Sequence, residues 1–288
     1  MARFSANLGF LFADRPLLER VEAAAGAGFA AVEMHWPYEV PAQAMRAVLA
    51  RSGVTMLALN APAGDPAAGE FGYGAVPGRE AAFRDSVEQA LTYGAAIGAT
   101  GVHCLAGVVE EGTEEAAERS FVHNLVTASE LAGRAGLTIL IEPLNLRDRP
   151  SYFLSRVEQA AAIIGEVGRA NVKIMFDCYH VQIMQGDLIR RLEAHRPLIG
   201  HVQIAAVPSR AEPDEGELNY PAICRALDDI GYDGWIGAEY RPRGRTEDGL
   251  GWLRAWTGAG SRTASAASSE TSNAPSLRRG PKGRARNP

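Results

Sequence analysis

Short apolar runs recur along the chain at 4–12, 31–36, 54–61, 101–107, 137–145, 172–180, 199–207 and 233–241. Each has the length of a strand, and the last four turn polar at their C-terminal ends. Stretches near 16–27, 41–52, 79–98, 114–135, 155–167, 182–195, 219–230 and 245–256 read instead as helices. Start and stop signals agree with this division. Pro16 and Pro41 suit first helical turns, and Gly28, Gly53, Gly98, Gly136 and Gly231 suit C-terminal caps. Eight strand–helix units within ~250 residues predict one closed parallel α/β barrel, a (β/α)8 or TIM barrel. A doubly wound open sheet is the alternative, but it needs a glycine-rich first turn, and the first strand here leads into FLFADRP.

In such a barrel every strand C-terminus opens on one face, where active sites lie. Four oxygen-bearing side chains end the last four runs: Glu142 in LTILIEPLN, Asp177 in VKIMFDCYH, Gln203 in IGHVQIAAV and Glu239 in DGWIGAEYR. Three carboxylates and an amide oxygen converging on one face suit a hard divalent cation, Mg²⁺ or Mn²⁺ before Zn²⁺. The competing account, four unrelated polar strand ends, weakens with each consecutive unit. Two long loops belong to the same face. Segment 61–80, rich in Gly, Pro and Ala, reads as a lid or substrate-contacting loop, and segment 207–220 follows the seventh strand.

Charge divides the chain unevenly. From 258 onward there are six basic residues and one acid, with almost no large apolar side chain, which predicts a disordered basic tail over 258–288. Residues 1–257 then form the barrel domain, with a net charge of −10 that argues against nucleic acid as a partner. Only two lysines occur, Lys173 and Lys282. One opens a strand and the other is in the tail, so Schiff-base chemistry lacks a nucleophile. No run approaches ~20 apolar residues, so no membrane span is expected. The N-terminus reads as a strand, not a signal peptide. Cys104, Cys178 and Cys224 are odd in number and far apart, which fits a reducing, cytoplasmic location.

The strings NLGFLF, LNAPAGDPAAGEFG, IEPLNLRDRPSYFL, FDCYHVQIMQGDL, GHVQIAAVPSRAEPDEGELNYPAI and LDDIGYDGWIGAEYRP resemble the hydroxypyruvate isomerase family of xylose-isomerase-like barrels. The resemblance runs from about residue 3 to 254. It implies an aldose–ketose type isomerase of small hydroxy-carbonyl acids that needs no organic cofactor. The leading reaction is hydroxypyruvate to 2-hydroxy-3-oxopropanoate (tartronate semialdehyde) through an enediol. Alternatives are a 2-oxo-tetronate isomerase, a metal-dependent ketose 3-epimerase and a barrel that only binds a sugar acid. A related endonuclease is disfavoured by the acidic body and by the lack of histidines for a trinuclear zinc site. Self-association is left open.

By the same resemblance Glu142 and Glu239 are the paired acid/base residues. Glu142, Asp177, Gln203 and Glu239 hold the metal, and His180 and Arg210 contact substrate. Gln203 stands where related sugar epimerases have a histidine, which strengthens the preference for a hard cation. Strand position suggests support roles for Glu33 and His103, either a barrel-core or a supporting role for His201, and orienting roles for Asn7, Asn60 and Asn145. Cys178, read as the next strand residue after Asp177, should face away and pack. His35, His123 and His195 read as structural or exposed. Ala206, Ser209 and Ala211 depart from the family pattern, which expects an acid, a glycine and a histidine there, and so bear on substrate identity.

Overall fold

The computed structural model describes residues 2–257, and the tail expected over 258–288 lies outside the described residues. Eight parallel strands close in sequence order: β1 (Arg3–Asn7), β2 (Ala31–Met34), β3 (Thr55–Asn60), β4 (Gly101–His103), β5 (Thr138–Ile141), β6 (Val172–Asp177), β7 (Ile199–Ile204) and β8 (Trp235–Ala238). β8 returns to pair with β1, so no strand edge is exposed. The expected barrel is the observed one.

Outside the strands lie α1 (Leu17–Gly26), α2 (Ala42–Ser52), α3 (Glu80–Ile97), α4 (Glu114–Ala135), α5 (Val157–Val167), α6 (Cys178–Met184), α7 (Leu188–His195), α8 (Tyr220–Asp229) and α9 (Gly251–Trp256). Their apolar stripes pack on the outward faces of the strands in one continuous core. A smaller layer of Ala58, Leu140 and Met175 fills the barrel interior. The strands are shorter than the apolar runs: Glu142 and Glu239 stand one residue beyond β5 and β8, whereas Asp177 and Gln203 remain within β6 and β7.

The sixth unit differs from its expectation. β6 stops at Asp177 instead of running to 180, because the Asp177 carboxylate accepts the Tyr179 backbone N–H (2.8 Å) and caps α6. Cys178 therefore packs as the first residue of a helix, not by strand alternation. The single helix expected near 182–195 is broken at Gly186 and Asp187, both at positive φ (63° and 51°), into α6 and α7. Register fixes the rest of the mouth. Asp177 lies opposite Gln203, and Gln203 opposite Gly237, two residues before Glu239. Lys173 is half-buried near the start of β6 and donates to the Pro197 carbonyl, away from the strand C-termini.

Candidate active site

Glu142, Asp177, Gln203 and Glu239 all reach the barrel mouth and are buried there. Glu142 follows β5 directly. Its Oε2 lies 3.6 Å from His103 Nδ1 and its Oε1 lies 3.8 Å from His180 Nε2. Burial, then the charges of Glu239 and Asp177, push its pKa well above the usual carboxylate range, against the pull of Arg210. Asp177 gives Oδ1 to the helix cap and keeps Oδ2 for the mouth. Burial raises its pKa to about 7, although Arg210, with its Nη2 3.7 Å from Oδ2, favours the ionised form. Gln203 donates Nε2 to Glu33 (2.8 Å), which turns its Oε1 to the mouth. Glu239 is held differently. Its Oε1 accepts from Arg210 (3.1 Å) and lies 3.3 Å from His35 Nε2.

Glu142 Oε1, Asp177 Oδ2 and Gln203 Oε1 are buried acceptors with no hydrogen-bond donor. Leaving such oxygens unpaired is costly, and a hard cation would satisfy all three at once. The residues present therefore fit a divalent metal. Glu142, Asp177 and His180 also bring ligand atoms within 4.8 Å of one another. His180, however, is committed otherwise. Its Nδ1 accepts the Asn145 backbone N–H at 3.0 Å, with the Asn145 amide at 2.7 Å, so the hydrogen-bond network assigns the ring proton to Nε2. Burial and the nearby Arg210 hold the ring neutral. Nε2–H thus faces the mouth as a donor, suited to a substrate oxygen rather than to a cation.

Arg210 stands on the loop after β7 at a positive φ of 56°, a conformation non-glycine residues rarely adopt. Its backbone N–H donates to Ala206 and its carbonyl accepts from Arg241 (2.8 and 2.7 Å). Its guanidinium lies against Phe10 and Tyr179 (5.2 and 4.9 Å to the ring centroids). Ala206 and Ala211 are buried, and Ser209 Oγ accepts the Ala211 N–H. None of the three lines the cavity. These departures therefore shape the loop that carries Arg210 rather than the cavity wall.

The supporting residues separate clearly. Glu33 accepts from Gln203 and from Asn7 Nδ2 (3.1 Å), and it pairs with His201. Burial opposes its ionisation, but His201 and these donors outweigh burial and keep its pKa low. Gly237 makes room for it, since a Cβ there would stand 2.6 Å from Glu33 Oε1. Asn60 Oδ1 lies 3.2 Å from His103 Nδ1, and burial lowers the His103 pKa to about 4. Asn145 orients His180. His123 is exposed and His195 half-buried, away from the cavity.

His35 belongs with the site, contrary to the expectation that it is structural or exposed. It shares inward parity with Glu33 two residues earlier on β2, a signal the sequence carried. The mouth encloses a cavity of about 250 Å³ whose walls also include Phe10, Trp36, Phe71, Arg149 and Arg241, which come from loops or strand ends and lack a sequence signal. Phe71 makes segment 61–80 a cavity-facing loop. That segment is ordered around Glu70, which accepts from Asp65 N–H and Tyr73 Oη and pairs with Arg79, and it includes a short 3-10 turn at Pro66–Ala68.

Residues 21–256 match the family described as the xylose isomerase-like TIM barrel. The 2-oxo-tetronate isomerase of Cupriavidus necator is 49% identical over 259 residues, covering 90% of this chain and 100% of that protein. The putative hydroxypyruvate isomerase of Mus musculus is 45% identical, covering 88% of this chain and 95% of its own. The crystal structure of an AP endonuclease, family 2, from Brucella melitensis superposes with a TM-score of 0.87 at 44% identity, covering 89% of this chain and 99% of that one. The chain belongs to the xylose isomerase-like TIM barrel family.

Proposed function

We propose that this protein is an isomerase of small hydroxy-carbonyl acids, with Glu142 and Glu239 as its acid/base pair and hydroxypyruvate as its leading substrate. The observation that carries this reading is two buried glutamates, from β5 and β8, facing one small cavity with the donors His180 and Arg210 beside them. Moving a carbonyl to its neighbour requires one carboxylate to take the proton from the hydroxyl-bearing carbon. The other side then returns a proton to the former carbonyl carbon, while the two oxygens exchange a proton through the enediol. His180 Nε2–H and the Arg210 guanidinium stabilise the oxygens as negative charge develops on them. Glu142, Asp177, Gln203 and Glu239 would hold Mg²⁺ or Mn²⁺. When bound, such a cation polarises the substrate carbonyl and stabilises the enediolate.

A second substrate in the same class, 2-oxo-tetronate, is favoured by the 49% identity to an enzyme of that name. Cleavage of nucleic acid is not favoured, since residues 1–257 carry a net charge of −10 that would repel a phosphate backbone. The test is turnover of both acids by the purified protein, with carbonyl position followed by NMR in deuterated water. EDTA should lower turnover, and Mg²⁺ or Mn²⁺ should restore it. Glu142→Gln and Glu239→Gln should each cost ~10²- to 10⁴-fold in kcat. Full activity in both variants would refute the acid/base assignment.

A further inference from the structure

The cavity contains three arginines, and they differ in what holds them. Arg210 is paired with Glu239 and Asp177. Arg149 and Arg241 have no carboxylate within ion-pair distance among the described residues. Arg241 is exposed and lies 5.5 Å over Phe10. Arg149 is half-buried, and its guanidinium carbon sits 3.7 Å from the Phe71 ring centroid, close to van der Waals stacking. Its backbone is fixed as well, with its N–H on the Asn145 carbonyl (3.1 Å) and its carbonyl on the Tyr152 N–H (3.4 Å).

A guanidinium stacked by its face keeps its N–H edge free, and that fork matches a carboxylate. The platform also removes much of the entropy cost of ordering the side chain. Arg210 is committed to Asp177 and Glu239, and a cation held by Glu142, Asp177, Gln203 and Glu239 would be largely offset by those carboxylates, so a substrate carboxylate needs a further, uncommitted cation beside the cavity. Arg149 is the half-buried cation in that position.

We infer that Arg149, held on Phe71, binds the substrate's carboxylate and selects acids over neutral hydroxy-carbonyl compounds. The inference rests on the reading of the site as one for hydroxy-carbonyl acids. Calorimetry on the Mg²⁺-loaded full chain tests it without turnover, using D-glycerate, an acid lacking the reactive carbonyl, and glycerol, its neutral counterpart. The wild-type protein should bind D-glycerate more tightly than glycerol. Arg149→Gln should weaken D-glycerate by ~10- to 100-fold and leave glycerol unaffected, with Arg149→Lys in between.

Equal binding of acid and glycerol by wild type would overturn the assignment. So would unchanged D-glycerate binding in Arg149→Gln, or a larger loss with Arg241→Gln. The isomerase reading fails separately, if the wild-type protein turns over neither hydroxypyruvate nor 2-oxo-tetronate.

Discussion

Gln203 can present either end of its amide to the mouth, and Glu33 decides which. An ionised carboxylate accepts only, so the Gln203 NH₂ must face Glu33 and the oxygen must face the candidate cation. Glu33→Gln removes that constraint. Its remaining oxygen can still accept the Gln203 NH₂ while its new NH₂ turns to His201 Nε2, but the opposite flip, which turns the Gln203 NH₂ into the mouth, is no longer forbidden. The variant should lose about 1–3 kcal/mol of stability and bind Mg²⁺ ~10- to 100-fold more weakly, read by thermal melting and calorimetry. Unchanged metal affinity would show that Glu33 does not orient Gln203. The four strand-end oxygens were legible in the sequence because strand parity and chain position alone place them. The matching of NH₂ to carboxylate was not, since it depends on a contact between β2 and β7, 170 residues apart. His35 was missed although its parity with Glu33 pointed inward: it stands one residue beyond β2, and its bond to Glu239, 204 residues away, has no mark in the local sequence.

The loop after β3 shows how one backbone position serves the cavity. Gly72 has φ +100°, and a Cβ there would stand 2.5 Å from Leu105 Cβ and 2.6 Å from the Leu105 carbonyl oxygen. This close approach pairs the loop with Ala106 and sets the neighbouring Phe71 in the cavity wall. Gly72→Ala should therefore cost about 1–3 kcal/mol in stability and raise KM by displacing Phe71. Gly69, at φ +77° with open space around its Cβ, is the comparison; Gly69→Ala should cost about 1 kcal/mol and leave KM alone. Equal KM values in the two variants would separate Phe71 from substrate binding. At this scale the sequence named every strand–helix unit, since period and capping glycines such as Gly53, Gly98 and Gly136 are local. It overran β6 and fused α6 with α7. Asp177 reads as a strand end and acts as a cap, and no periodicity announces the positive φ of Asp187.

Across the whole molecule, the strand ends concentrate negative charge that the fold alone does not neutralise. Burial raises the pKa of Asp177 to about 7 and that of Glu142 well above its usual range. A group whose pKa is higher folded than unfolded binds its proton more tightly in the folded state. It therefore contributes stability that is fully present below the unfolded value, ~3.9 for an aspartate, and is lost as pH rises through the folded value. Metal-free protein, prepared with EDTA, should accordingly melt at a lower temperature at pH 8 than at pH 5. The corresponding difference in unfolding free energy should be on the order of a few kcal/mol. A divalent cation binds the deprotonated oxygens and so competes with those protons, and its binding should release them. Saturating Mg²⁺ should raise the melting temperature more at pH 8 than at pH 5. In Asp177→Asn, which cannot ionise, the pH dependence of the metal-free protein should be shallower and the Mg²⁺ gain smaller at both values. Melting curves of the two proteins at both pH values, with EDTA or Mg²⁺, decide the matter. A metal-free wild type whose stability is flat between pH 5 and 8, or a gain with Mg²⁺ that is equal at both, would mean that the raised carboxylates are not where the cation binds.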